Sequence, residues 1–308
     1  MVPKLPPRGG QVGFLFLPPF RIQGISVAGE QSVIQIPELD VCFDIGTCPR
    51  IALASPYIAL THGHMDHVGG LPYYFSQRMF QKMGVGTCVC HHAIAEPLRR
   101  MMASWVELEQ QHTQHEIIPL RDGEQIEIKN NIFLRAIEVS HTVPSMAYAI
   151  VERRTKLKPE FADVPQERLR ELKTSGVEIT RVLEIPLVAF TGDTEFGPYL
   201  YRDEFVNAQI VISECTFFEA DHRGRAKIGK HLHAEDIARL LNAWQAPSIV
   251  LVHLSRRTHL PAARELLANL VGPQQVERVH LLMDHQANRR RYEQQKLHAE
   301  SMTPVESK

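Results

Sequence analysis

Three imidazoles and a carboxylate fall within one short run, His62-Gly63-His64-Met65-Asp66-His67. In a tight loop His62 and His64 can point to one side and Asp66 and His67 to another, which offers ligands for two cations a few Å apart. Imidazole and carboxylate donors together suit zinc and neighbouring divalent metals. A histidine-rich surface loop is the bland alternative. Here the run follows an apolar strand, residues 57–61, and precedes a Gly69-Gly70 turn. The same juxtaposition recurs along the chain. Short apolar or β-branched runs end abruptly in His or an acid at Leu60-Thr61-His62, Val139-Ser140-His141, Phe190-Thr191-Gly192-Asp193 and Val252-His253. Strands of one layered domain that carry such residues at their C-terminal tips would gather them at one edge.

The elements that must do this positioning are legible as alternating runs. Residues 24–28, 32–36 and 41–46 read as a strand meander bounded by turn residues. Residues 71–83 and 93–108 read as helices, with a strand at 88–90 between them. Strands follow at 117–118, 125–128 and 133–139. Further apolar runs lie at 187–190, 210–212 and 249–252, with an amphipathic helix at 234–244. The charged stretch 152–180 holds one helix, 165–174, opened by proline. Residues 1–20 are expected to form a mobile leader, 21–287 a single domain with a short charged insertion at 151–181, and 288–308 a polar tail, a frayed helix or disordered.

Composition sets limits on this reading. The 308 residues are 44% hydrophobic and 22% charged, ordinary for a soluble globular chain. Lys and Arg total 34 against 35 Asp and Glu, a net charge of -1, so any nucleic acid must be held by a local patch. No apolar run approaches the roughly 20 residues that cross a bilayer. Five cysteines, an odd number with no framework spacing, indicate reduced thiols and a cytoplasmic location. Histidine, with 16 copies, outnumbers Phe at 13.

The run from Thr61 to Pro72, His-x-His-x-Asp-His followed by Val68-Gly69-Gly70-Leu71, resembles the signature of the metallo-β-lactamase superfamily. Further matches narrow the resemblance to ribonuclease Z, the tRNA 3′-processing endoribonuclease, in its short form. They are Phe43-Asp44-Ile45-Gly46, His141-Thr142-Val143-Pro144-Ser145, Phe190-Thr191-Gly192-Asp193-Thr194, Ser213-Glu214-Cys215-Thr216-Phe217, Lys230-His231-Leu232-His233 and Leu251-Val252-His253-Leu254-Ser255-Arg256-Arg257. Ser175-Gly176-Val177-Glu178-Ile179-Thr180 is similar to plant-type short forms. The resemblance spans about residues 22–283. The chain departs from the pattern at Ala147, where the family usually has Gly, and at Thr258, where it usually has Tyr.

The resemblance implies an α/β fold, a four-layer αββα sandwich. It implies two divalent metal ions per chain, Zn2+ with Mn2+ as the alternative. His62, His64 and His141 would hold one, Asp66, His67 and His253 the other, and Asp193 would bridge them. Asp66, Glu214 and His231 would be catalytic, with His231 protonating the departing 3′ oxygen and Glu214 orienting it. His233 competes with His231 for that role, and the helix that follows favours His231. The implied substrate is precursor tRNA or another RNA, and the implied assembly is a homodimer with no membrane partner. Basic groups for the RNA are Arg153, Arg154, Lys156, Lys158, Arg256 and Arg257. Two other readings stand beside this one: a superfamily hydrolase acting on a small ester, lactone or cyclic nucleotide, and a non-catalytic binding protein on the same scaffold. Cys88-Val89-Cys90-His91-His92 reads as a core strand with exposed histidines, not as a second metal site. Asp44 reads as a hydrogen-bonding residue beneath the metal loop.

Overall fold

A computed structural model describes residues 1–7 and 11–302. It contains two seven-stranded sheets, each with its strands adjacent in chain order. The first holds β1 (Gly13–Leu17), β2 (Phe20–Val27), β3 (Gln31–Ile36), β4 (Val41–Phe43), β5 (Tyr57–Ala59), β6 (Gly86–His91) and β7 (His115–Leu120). The second holds β8 (Gln125–Lys129), β9 (Ile132–Val139), β10 (Ser145–Leu157), β11 (Thr180–Phe190), β12 (Ile210–Glu214), β13 (Ser248–Val252) and β14 (Val279–Leu281). Each sheet begins as an antiparallel meander and turns parallel, the first from β4 onward and the second from β11 onward. The helices are α1 (Met65–Val68), α2 (Leu71–Phe80), α3 (His92–Glu109), α4 (Gln166–Thr174), α5 (Asp203–Val206), α6 (Arg223–Gly229), α7 (Ala234–Ala243), α8 (Leu260–Val271), α9 (Pro273–Val276) and α10 (His285–Ser301).

Three apolar layers separate four layers of secondary structure. Phe43, Tyr148, Phe190 and Val250 fill the space between the sheets. Cys88 and Cys90 of β6 pack outward against Tyr74 and Phe75 of α2 and Leu98 and Met102 of α3. Val211 and Ile249 pack on the other side against Phe205 of α5, Ile237 and Leu241 of α7 and Leu267 of α8. This is the expected α/β four-layer αββα sandwich. α7 shows why the sequence folds this way locally: Ala234, Ile237, Leu240 and Leu241 are buried at helical spacing on one face. Each fully buried Leu or Ile of this face contributes roughly 1.5–3 kcal/mol.

The expected mobile leader is corrected at its end. Residues Gly13–Leu17 form β1 and are buried throughout, because α10 seals this sheet edge. Phe14 meets the Tyr292 ring edge-on at 5.6 Å, and Gln295 Nε2 donates to the Phe16 carbonyl at 3.0 Å. Of the two forms expected for the polar tail the helix is the one found, and the same contacts hold it against the sheet instead of leaving it frayed. α10 is capped by Asp284, which accepts from the Ala287 N–H, and Asn288 is buried on the Leu281 and Leu282 carbonyls. Residues 8–10 and 303–308 of these expectations lie outside the described residues. The segment expected as an insertion at 151–181 takes the form of a hairpin tipped by α4, because β10 and β11 pair from Tyr148–Phe190 to Leu157–Thr180 and so carry the chain far out. His91 is buried, not exposed: its Nδ1 accepts from the Ala93 N–H and caps α3. Among the described residues no helix is long and apolar enough to cross a membrane.

Candidate metal centre

The strand tips converge as their sequences require. β9, β11, β12 and β13 point the same way in the second sheet. Their C-terminal ends therefore place His141, Asp193, Glu214 and His253 along one edge. β5 of the first sheet leads into Thr61 and His62 opposite them, joined by the Met146 N–H donating to the Thr61 carbonyl at 2.9 Å. Two glycines make the close approaches possible. Gly192 has φ +57 and a Cβ there would lie 2.8 Å from the Thr61 methyl, so the turn that delivers Asp193 needs glycine. A Cβ at Gly46 would lie 1.8 Å from the Asp66 carbonyl oxygen, so only glycine can underlie α1 at that point. Asp44 and His253 adopt φ of 58 and 56 despite their side chains, a left-handed strain of the kind found where function fixes the backbone.

All seven residues that the resemblance implies as ligands come together. They form three groups whose donor atoms are mutually close: His62, His64 and His141; His62, His67 and Asp193; Asp66, His67 and His253. His62 Nε2 lies 3.0 Å from His64 Nδ1, which lies 3.4 Å from His141 Nε2. His67 Nε2 and His253 Nε2 are 3.3 Å apart. Asp66 Oδ2 is 3.6 Å from the first and 3.5 Å from the second, and Asp193 Oδ2 is 3.3 Å from both. Asp193 also faces His62 Nε2 at 3.9 Å. Donors bonded to zinc at ~2.0–2.1 Å stand about 3.3–3.4 Å apart in a tetrahedron, so these spacings fit a metal ion.

The outer nitrogens fix which lone pairs face inward. His67 Nδ1 donates to Asp44 Oδ2 at 2.8 Å and His141 Nδ1 to the Lys230 carbonyl at 3.1 Å. Thr61 Oγ1 gives its proton to Asp44 Oδ1 and so must accept from His62 Nδ1 at 2.9 Å. Thr216 Oγ1 likewise gives its proton to Glu214 Oε2 and accepts from His253 Nδ1 at 3.0 Å. In each case the Nε2 lone pair is left for the centre, as metal-binding imidazoles require. Burial, then neighbouring imidazoles, keeps His62 neutral, well below the usual histidine range. Burial also lowers His64 and His141. Burial likewise disfavours a charged His67, but Asp193 and Asp44 on either side outweigh it and hold its pKa well above the usual value. Those carboxylates demand a cation, whether a proton or a metal ion. Asp44→Asn should weaken metal retention about 10- to 100-fold, the usual cost of losing a partner that orients a ligand. Titration with a competing chelator measures it, and unchanged affinity would contradict the role given to Asp44.

Glu214 and His231 lie beside this cluster. Glu214 is fully buried, and its oxygens accept from the Thr194 N–H at 2.8 Å, Thr216 Oγ1 at 2.6 Å and His231 Nδ1 at 3.0 Å. Those bonds occupy the carboxylate, so the Glu214–His231–His253 grouping is poorly suited to a further ion. Burial disfavours the His231 imidazolium, yet Glu214 and then Asp193 hold its pKa up at about 9. His233 is committed elsewhere: it caps α7 through Nδ1 and bonds the Glu219 carbonyl through Nε2.

The basic groups expected to meet RNA are not gathered here. Arg153 is paired with Glu184, Arg154 with Glu152 and Lys158 with Glu178. Together with exposed Lys156 they lie along the outer half of β10, roughly 25–40 Å from its site end at strand rise. Arg256 and Arg257 follow His253 closely, with Arg256 held by Glu30. Thr61, Thr216 and the Gly29 N–H, which donates to Asp66 Oδ2 at 2.9 Å, are supporting groups that sequence reasoning did not single out. The two-residue spacing of Glu214 and Thr216 is the one available signal.

Residues 49–254 match the Beta-lactamase superfamily domain, and with this fold and site the chain belongs to the metallo-β-lactamase superfamily. Within it the chain is homologous to plant tRNase Z. It is 32% identical over 257 residues to the chloroplastic tRNase Z TRZ2 of Arabidopsis thaliana, covering 82% of this chain and 72% of that one. It is 30% identical over 260 residues to tRNase Z TRZ1 of the same plant, covering 82% and 92%. The solved structure of the short form of human tRNase Z shares the fold at a TM-score of 0.54 and 18% identity, over 88% of this chain and 95% of that one.

Proposed function

We propose that the chain is a metal-dependent endoribonuclease that removes the 3′ trailer from precursor tRNA, leaving a 3′-hydroxyl tRNA and a 5′-phosphorylated trailer. The observation that carries this reading is the buried Glu214 bonded to His231 at the rim of a His/Asp donor cluster, in a chain homologous to tRNase Z. His62, His64 and His141 would hold one divalent ion, and Asp66, His67 and His253 a second, with Asp193 facing both. The imidazole-rich donor set favours Zn2+. Such ions, when bound, supply a nucleophilic water at neutral pH and offset charge on the phosphodiester oxygens.

The chain's own residues do the rest. Glu214 accepts from His231 Nδ1 and so leaves Nε2 as the nitrogen that gives a proton to the departing 3′ oxygen. An alkoxide leaves poorly, and a positioned acid contributes roughly 10² to 10⁴ in rate. The long β10–β11 hairpin gives a remote surface for the tRNA body, on which Lys156 makes no ion pair among the described residues. A homodimer and a cytoplasmic site of action complete the reading. All five cysteines are free, as a reducing compartment requires.

Processing of a labelled precursor tRNA tests the metal requirement. Cleavage should stop on chelation and return on adding Zn2+ or Mn2+. Cleavage that persists in a chelator, with no metal retained, would contradict the reading.

A further inference from the structure

A cavity of about 400 Å³ opens beside the centre, and His231 forms part of its wall. Its other sides carry Arg223 and Lys227 from α6, Arg239 from α7 and the ring of Phe196. This corner is locally basic, as residues 153–158 on the outer part of β10 also are. Residues 223–230 hold four cations, Arg223, Arg225, Lys227 and Lys230, and no acid, in a protein of net charge -1. Glu195 and Asp236 also line the cavity, and the acids here are already engaged. Glu195 is held by Lys230 at 3.2 Å and by the Ser140 hydroxyl. Asp236 accepts from the His233 N–H at 3.1 Å and faces Arg239 at 3.8 Å, and Glu235 is paired with Arg223. Lys227 is exposed and has no ion pair among the described residues. Phe196 is half-buried, with the Arg239 guanidinium 5.8 Å from its ring centre. An aromatic face beside an Arg plane, with the exposed Lys227 at its edge, is the combination that takes a base by stacking and its phosphates by charge.

We infer that this cavity seats the nucleotide on the 5′ side of the cut. The inference rests on the function proposed above and deepens it. In that reading His231 Nε2 protonates the 3′ oxygen that leaves. The ribose bearing that oxygen must therefore lie against His231, while the attacking water and the trailer phosphate lie toward the His/Asp cluster. The base attached to that ribose then has the cavity next to it. Phe196 stacks on the base, and Lys227 and Arg223 meet the phosphates that precede it. Volumes of 300 Å³ and above are typical of ligand pockets.

The test is a two-by-two comparison on precursor tRNA, intact or with an abasic nucleotide 5′ of the cut, using the wild type and Phe196→Leu. The wild type should lose roughly tenfold or more in kcat/KM on the abasic RNA, the size of one base–aromatic stack. Phe196→Leu should lose a similar factor on intact RNA and little further on the abasic one. Lys227→Glu, at an exposed position with no ion pair among the described residues, should raise KM about tenfold more than it lowers kcat and flatten the salt dependence of KM. Full processing of abasic RNA by the wild type, with an unchanged KM in Lys227→Glu, would overturn the inference while leaving the proposed function standing. A wild type that cuts no precursor tRNA would overturn both.

Discussion

Asp193→Ala should empty the centre of metal and lower phosphodiester cleavage by roughly 10³-fold or more, the scale of several kcal/mol of charge stabilisation at ~1.4 kcal/mol per tenfold. No other acid in the cluster faces both groups of imidazoles. Its Oδ2 lies 3.3 Å from His67 Nε2 and His253 Nε2 and 3.9 Å from His62 Nε2. Burial alone would favour the neutral acid, but His253 and His67 outweigh it and hold the pKa well below the usual carboxylate range. Removing it leaves buried imidazoles without their shared counter-charge. Asp193→Asn keeps the volume and removes the charge, and should lose nearly as much. Metal analysis beside kinetics checks both. An Asn variant with full metal content and activity would show that Asp193 only packs.

The second large effect belongs to the proton donor. His231→Ala should lower kcat on RNA by roughly 10² to 10⁴ while metal content holds. Glu214→Gln should act through the same step, and the double variant should lose little more than either one, as residues that work as a unit do. The leaving group supplies the decisive control. A nitrophenolate departs without needing a proton, so on bis(p-nitrophenyl) phosphate the His231→Ala loss should be at least about tenfold smaller than on RNA. Equal losses on the two substrates, or loss of metal from the variant, would assign His231 to holding the centre together.

Much of the centre was legible because its residues break a local rule. An apolar run that ends in His62, His141, Asp193 or His253 is conspicuous in one dimension, and sheet topology then brings those ends to one edge. What could not be read is what lies across the chain. The Lys230 carbonyl that orients His141 and the Gly29 N–H that holds Asp66 are backbone groups, and no residue type signals them. β1 and the packing of α10 against it were missed for a related reason. Phe14 and Tyr292 explain each other only once they touch, and taken singly their segments read as leader and tail. The hairpin was read as an insertion because outside the core its strands need no apolar alternation. Arg153 over Phe133 and the Arg153–Glu184 pair stand in for it.

Mapping the cut in an end-labelled precursor tRNA to the nucleotide tests the central claim most directly. One scission is expected on the 3′ side of the discriminator nucleotide, with a 3′-hydroxyl on the tRNA and a 5′-phosphate on the trailer, abolished in Asp193→Ala. Intact precursor with hydrolysis of a lactone or small ester instead, or a product bearing a 3′-phosphate, would contradict it.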